Sequence, residues 1–137
     1  MDDAVARFRA ASEANDIGAL METLDSDVEL VSPLSGKMLF RGRDDLRTLL
    51  TAVYASMSGL RWGYEVGDDT VRVVVGEGFV GPVALGDVMI CELGDDGRIR
   101  RIRPHLRPWL ATTLFALRLA PKIGRHPGVL VRALRRD

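Results

Sequence analysis

Asp87 is the residue whose type and position most suggest chemistry, because it is an acid within the mostly apolar stretch 83–93. If this stretch is a strand, side chains two residues apart share a face, so Asp87 lies beside Met89 and Cys91. An apolar environment disfavours the charged carboxylate, raises its pKa and lets the group act as an acid or a hydrogen-bond donor. The sequence therefore makes Asp87 a candidate catalytic residue. The alternative is a bulge after Gly86 that turns the carboxyl towards water or an arginine.

His105 is a second residue whose side chain could do chemistry, depending on the face of the sheet to which it points. It stands in the segment 103–109, where a predicted strand ends before a helix. Strict alternation from Ile102 would point His105 away from the face that Ile102 occupies, although Pro104 can shift the register. The alternative is a structural role at the corner between strand and helix.

Three large aromatic residues, Tyr54, Trp62 and Trp109, could line or cover a cavity, although such side chains also fill protein cores. Beyond these residues, the sequence shows no His, Cys and carboxylate spacing typical of a metal site. It also lacks a phosphate-binding glycine loop and a nucleophile elbow. We therefore expect neither a metal nor a cofactor.

The elements that would position these residues follow from apolar spacing and turn residues. Apolar residues at helical spacing predict three N-terminal helices, at 3–13, 17–24 and 43–57. Short β-rich stretches and Gly-Asp turns predict strands at 28–31, 38–40, 60–66, 70–75, 83–93 and 98–103. Two further helices are expected at 109–120 and 127–135, separated by a break at Pro121. This order predicts an α+β fold with the helices packed on one face of a bent antiparallel sheet.

Several short strings carry a resemblance to a known superfamily. They are FRAA at 8–11, NDIGAL at 15–20, LDSDVEL at 24–30, FRGRDDL at 40–46, GDVMI at 86–90 and DGRI at 96–99. In order and spacing they resemble the nuclear transport factor 2-like superfamily, which includes ketosteroid isomerases and SnoaL-like polyketide cyclases. The resemblance covers about residues 4–107. It implies a cone-shaped roll in which a curved antiparallel sheet wraps over three N-terminal helices and encloses a deep apolar pocket.

The catalytic groups of ketosteroid isomerases can be compared with this sequence position by position. The resemblance places the base carboxylate at Ser32, before Pro33, the tyrosine donor at Phe8 and the carboxylic acid donor at Asp87. Serine without an activating partner is no base at neutral pH, and phenylalanine has no hydroxyl group. Because only the third group is retained, classical steroid isomerisation is not expected.

The implied pocket leads to a hypothesis about function. Polar groups of the last strand contribute to the pocket in SnoaL-like cyclases, so the resemblance implies that His105 could serve as a base. Besides Asp87 and His105, we expect the pocket to be lined by Phe8, Ser32, Tyr54, Trp62, Met89, Ile102 and Trp109. Such a pocket suits an apolar, polyketide- or steroid-like molecule, and isomerase, cyclase or hydrolase chemistry stays open. The alternative is a non-catalytic dimeric or membrane-associated accessory protein. A homodimer is expected because exposed sheet faces in the superfamily commonly pair.

Length and composition are those of an ordinary soluble domain. The chain has 137 residues, of which 47% are apolar and 28% charged. Its first residues lack the basic region and apolar run of a secretory signal, and the single cysteine excludes an internal disulfide. We therefore expect a cytoplasmic location.

Charge is distributed unevenly along the chain although the net charge is zero. Residues 1–97 contain 18 acidic and 8 basic residues, whereas residues 98–137 contain 11 basic residues and one acid. Two regions are therefore predicted: a nuclear transport factor 2-like domain at 1–107 and a helical extension at 108–137 that packs on the domain or on a partner. The segment 109–136 could also contact a membrane surface. Nucleic acid is not expected as a partner, because no basic groove is interleaved with aromatic residues.

Overall fold

The computed structural model describes residues 3–135. Its first two helices are α1 (Ala4–Glu13) and α2 (Ile17–Met21). Each begins at an aspartate: the Asp3 carboxylate accepts a 3.0 Å hydrogen bond from the Val5 amide, and the Asp16 carboxylate accepts one from the Ala19 amide. These bonds satisfy N–H groups that have no partner within the helix. Helix α2 ends at Met21 and not at Leu24 as predicted, because Leu24 is the first residue of the first strand.

Helix α3 (Arg43–Ala55) provides the third predicted helix. Leu46, Leu49, Leu50 and Tyr54 are buried, and their spacing of three or four residues puts them on one side of the helix. Asp44 and Asp45 stand in its first turn, where a negative charge is favoured by the helix dipole. Helix α3 therefore carries Tyr54 on the side that packs against the sheet.

Six strands form one curved, open sheet. They are β1 (Leu24–Val31), β2 (Leu39–Arg41), β3 (Ser58–Gly67), β4 (Val71–Val80), β5 (Val83–Leu93) and β6 (Ile99–Arg107), in the order β2-β1-β6-β5-β4-β3. All neighbours are antiparallel except β1 and β6, which pair in parallel and align Leu30 with Ile102. The expected α+β fold is confirmed, and the expected wholly antiparallel sheet is corrected at this one pair.

Strand β6 extends four residues beyond the predicted end, through Pro104 to Arg107. The proline is accommodated because the pairing of β1 with β6 ends at Ile102, so beyond that point β6 pairs only with β5. A proline is tolerated where one edge of a strand needs no backbone donor. The extension keeps the alternation of side chains intact up to the next helix.

Two C-terminal helices follow, α4 (Trp109–Ile123) and α5 (Pro127–Leu134). The predicted break at Pro121 does not occur; the proline lies in the last turn of α4, where its missing N–H removes a single backbone hydrogen bond. Helix α4 buries Ala111, Phe115, Leu119 and Ile123, each four residues after the last, and these side chains join the same core as α1 to α3. No helix within residues 3–135 is long and apolar enough to cross a bilayer.

Candidate functional site

A cavity of about 330 Å³ lies between the sheet and the helices α3, α4 and α5. Its wall is almost entirely apolar. The lining side chains include Phe8, Leu30, Met38, Phe40, Leu50, Val53, Met57, Met89, Ile102, Leu106, Phe115, Leu119 and Leu130. Cavities of this size and character are typical of sites for small molecules. The question is then which polar groups reach it.

Asp87 reaches the cavity from strand β5. It shares the inner face of the strand with Met89 and Cys91, as the alternation predicted. Its Oδ1 atom is fully buried and has no hydrogen-bond partner within residues 3–135, and no arginine or lysine of that range forms an ion pair with it. A buried polar atom without a partner costs about 1–3 kcal/mol, so this carboxyl is poised to bond to something that enters the cavity.

Burial raises the pKa of the Asp87 carboxyl to about 7, against a smaller opposing effect of the His105 backbone N–H. The cause is the loss of water around the carboxylate, which penalises the charged form. Near neutral pH, Asp87 is therefore divided between a protonated form, which can donate a hydrogen bond, and an ionised form, which can accept a proton.

Tyr54 also lines the cavity, from helix α3 on the side opposite Asp87's strand. Burial raises the pKa of its phenol, a negative charge on Asp87 raises it further, and the nearby Ser12 hydroxyl has a smaller lowering effect. Tyr54 therefore stays protonated and is a second donor near Asp87. Cys91, which is buried, has its pKa raised to about 12 by burial and by the charge of Asp87, so it stays a thiol.

Trp62 does not line this cavity, which corrects the prediction made for it. Its indole Nε1 donates a 2.9 Å hydrogen bond to the Ser12 hydroxyl, and its ring lies so close over Gly76 that a β-carbon there would collide with it. The small residue on the neighbouring strand makes room for the ring within the core. Trp62 therefore packs behind the site and is joined through Ser12 to helix α1.

Ser32 and Phe8 both line the cavity, and neither supplies a base. The Ser32 hydroxyl oxygen accepts hydrogen bonds from the backbone amides of Leu34, at 3.1 Å, and Ser35, at 3.2 Å. This oxygen closes the turn between β1 and β2, so its lone pairs are engaged by the backbone. Phe8 contributes an apolar ring only. Asp87 therefore lines the cavity without a second carboxylate at position 32 or position 8.

His105 and Trp109 lie outside the cavity, which corrects both predictions. Alternation continues undisturbed through Pro104, so His105 is exposed on the outer face of the sheet, where its Nδ1 lies 3.3 Å from the Val88 carbonyl oxygen. Trp109 begins helix α4 with 77% of its surface exposed. His105 therefore cannot exchange a proton directly with a molecule bound beside Asp87.

Comparison with solved structures identifies the fold. A protein from Silicibacter pomeroyi DSS-3, described as having a cystatin-like fold, matches with a TM-score of 0.88 and 18% identity, covering 97% of this chain and 95% of its own. A steroid delta-isomerase from Pseudomonas aeruginosa matches with a TM-score of 0.81 and 17% identity over 91% and 92% of the two chains. An NTF-2 like protein of unknown function from Burkholderia xenovorans LB400 gives a TM-score of 0.68 and 19% identity over 80% and 88%.

The chain has the nuclear transport factor 2-like fold. At these identities the likeness shows the fold alone. No protein-family model matches the sequence, and the comparison with curated proteins finds no match. The expected resemblance is confirmed at the level of architecture.

Part of the cavity wall comes from residues that were not expected to line it. Helix α4 contributes Phe115, Leu119 and Ile123, and helix α5 contributes Leu130. The sequence does contain a pattern that indicates a buried side of α4, namely apolar residues at a spacing of four. That spacing could not be assigned to the cavity, because α4 is apolar on its other side as well.

A second cavity, of about 360 Å³, lies on the other side of Asp87. It is lined by residues of β3, β4 and β5, including Arg61, Tyr64 and Glu77, and by Arg107 at the end of β6. Its wall is more polar than that of the first cavity. Asp87 therefore stands in the sheet between an apolar interior space and a more polar outer one.

Proposed function

We propose that this chain binds an apolar small molecule that carries one accepting oxygen, such as a ketone on a polyketide- or steroid-like skeleton. The observation that carries the proposal is the buried, unpartnered Oδ1 of Asp87 in an otherwise apolar cavity. The apolar wall accounts for the skeleton, because burying apolar surface is favourable at about 25 cal/mol per Å². A protonated Asp87, with the Tyr54 hydroxyl near it, accounts for recognition of the oxygen.

One observation favours a second candidate function, an enzyme that moves a proton. The pKa of Asp87 is raised to about 7, which suits a group that gives and takes a proton at neutral pH. Since Ser32 is engaged in its turn and Phe8 has no hydroxyl, Asp87 would have to serve as both acid and base. Isomerase-type proton shuttling by one carboxyl fits this arrangement better than a reaction that needs two carboxylates.

The proposal is tested by thermal unfolding of the full chain with pairs of apolar molecules that share a skeleton and differ by one ketone. We expect the ketone of a fitting pair to raise the Tm more than the hydrocarbon does. In Asp87→Leu this difference should disappear, whereas Met89→Leu, which changes the same wall without removing a donor, should retain it. An unchanged Tm with every skeleton would count against binding in this cavity.

Turnover separates the two candidate functions. With a ketone that binds, exchange of the hydrogens next to the carbonyl in deuterated water would be followed by NMR. Exchange that depends on the protein and is lost in Asp87→Asn supports an enzyme. Binding without such exchange supports a carrier or sensor of the molecule.

A further inference from the structure

We propose that the outward side of helix α4 is a docking surface for an anionic lipid bilayer. The surface consists of Trp109, Leu110 and Leu117, and we call it the α4 surface. Arg118 lies at the edge of this side of the helix, and Arg125 lies in the segment that follows α4; both are exposed. Nothing in the ligand proposal is needed for it, since it uses side chains that the cavity does not.

Helix α4 has apolar side chains on two sides, and the domain covers only one of them. Phe115 and Leu119 point inwards and are buried, whereas Trp109, Leu110 and Leu117 are 77%, 47% and 66% exposed. Residues spaced by one, four and eight positions lie on one side of a helix, so the three exposed side chains share a side with the exposed Thr113. An exposed tryptophan with leucines beside it is typical of a surface that enters the interfacial layer of a membrane.

The segment that carries these apolar side chains is strongly basic and has almost no acidic residues. Helices α4 and α5 contain no acidic residue, and residues 98–137 contain 11 basic residues and one acid, Asp137. Some of these arginines form ion pairs with acidic residues of the first 97 residues: Arg101 with Glu29 at 2.9 Å, and Arg132 with Asp45 at 2.8 Å. Within residues 3–135, Arg118 and Arg125 form no such ion pair, and both are exposed.

The combination of charge and apolar side chains favours a bilayer over a second copy of the chain. A symmetric dimer through the α4 surface would bring the same basic patch of each copy together, and α4 and α5 contain no acid to offset the two positive charges of each patch. An anionic bilayer instead offers negative headgroups to the arginines and an apolar layer to Trp109 and Leu117. Each basic side chain near such a surface strengthens binding about fivefold.

The position of α4 connects this surface to the interior of the protein. Residues two positions apart on the helix lie on opposite sides: Phe115 and Leu119 line the cavity, and Leu117 between them faces outwards. A bilayer at the α4 surface would therefore lie one helix away from the apolar cavity. Apolar molecules that dissolve poorly in water concentrate in bilayers, so this placement suits a cavity that receives its occupant from a membrane.

The test is co-sedimentation of the full chain with vesicles of phosphatidylcholine alone or with added phosphatidylglycerol, in the absence of any cavity ligand. We expect binding to the anionic vesicles only, weakening as salt is added, with a blue shift of tryptophan fluorescence that Trp109→Phe removes. Leu117→Glu and Arg118→Glu/Arg125→Glu should each weaken binding at least fivefold. Their circular dichroism and Tm should match wild type, because all three positions are exposed.

The control is Tyr64→Ser, which removes an equally exposed aromatic side chain (74%) from strand β3, away from the α4 surface. It should bind anionic vesicles as wild type does. Three results would each overturn the proposal: no binding to anionic vesicles, equal binding to neutral ones, or equal loss in Tyr64→Ser. A dimer in solution that Leu117→Glu dissociates would also overturn it, because the α4 surface would then belong to a second copy.

Discussion

Tyr54 and Asp87 face the same cavity from the two layers of the domain, one on helix α3 and the other on strand β5, and the charge of Asp87 raises the pKa of the Tyr54 phenol. Burial acts on both groups in the same direction and favours the protonated form of each. When both groups are protonated, the cavity holds two neutral donors. This relationship is the basis of the proposed recognition of an accepting oxygen and of its expected dependence on pH.

The stability of the protein should fall as the pH rises from about 4 to about 7, because of Asp87. Its pKa is 3.8 in the ordinary, unfolded setting and about 7 in the fold, so between these values the folded state holds a proton that the unfolded state releases. The free energy of unfolding therefore decreases over this window, by a few kcal/mol at most. Denaturant unfolding at a series of pH values measures the change.

Asp87→Asn should lack this contribution and be more stable than wild type at pH 8, because it never places a charge in the cavity. The matched control is Asp69→Asn, which neutralises an exposed carboxyl in the turn between β3 and β4 and should leave the pH profile of wild type in place. An Asp87→Asn profile that parallels wild type between pH 4 and 7 would show that Asp87 is not the group responsible.

Ser12→Ala should destabilise the fold by about 1–3 kcal/mol, because it leaves the Trp62 indole N–H buried without its acceptor. Thr51→Ala on helix α3 removes an exposed hydroxyl that bonds to the Arg47 backbone carbonyl, as the Ser12 hydroxyl bonds to that of Phe8, and it should have a much smaller effect. Urea unfolding of the three proteins compares them; equal effects of the two substitutions would contradict a supporting role for Ser12.

Arg132→Ala should speed the entry and release of a cavity ligand. Two hydrogen bonds, at 2.9 and 2.8 Å, join Arg132 on α5 to Asp45 on α3, and α5 contributes Leu130 to the cavity wall. Because the Arg132 side chain is exposed, its loss should change the Tm little while loosening α5 over the cavity. Stopped-flow binding of a ligand from the ketone panel measures both rates.

The control for this prediction is Arg125→Ala, which removes an exposed arginine that has no ion pair within residues 3–135. It should leave both rates at their wild-type values. Unchanged rates in Arg132→Ala would mean that ligands reach the cavity by a route that does not involve α5.

Much of the fold was accessible from the sequence because its signals are local. Aspartate caps, apolar spacing and Gly-Asp turns predicted the helices and hairpins, and strand alternation put Asp87 beside Met89 on the inner face. Strict alternation also predicted the correct, outer side of the sheet for His105. His105 could have faced the cavity only if Pro104 had shifted the register of the strand. The structure shows why the shift does not occur: β6 has a single partner there.

The remaining features depend on contacts between distant residues and could not be predicted from local patterns. The parallel pairing of β1 with β6 joins residues about 70 positions apart, and no turn signals it. Trp62 and Trp109 are alike in type, yet one packs over Gly76 and the other faces outwards. The Ser32 hydroxyl accepts hydrogen bonds from two backbone amides of its turn, and these bonds depend on a backbone conformation that the sequence does not specify. The expected homodimer and cytoplasmic location stay predictions.

The central claim, that Asp87 recognises an accepting oxygen in its protonated form, is tested most directly by the affinity of a bound ketone as a function of pH. We predict that titration calorimetry will show wild-type affinity falling between pH 6 and pH 8, with the midpoint near the Asp87 pKa of about 7. Asp87→Asn, which donates at every pH, should show a flat profile, and His105→Gln should keep the wild-type profile. A wild-type affinity that does not change with pH, or an Asp87→Asn affinity that falls in parallel with it, would contradict the claim.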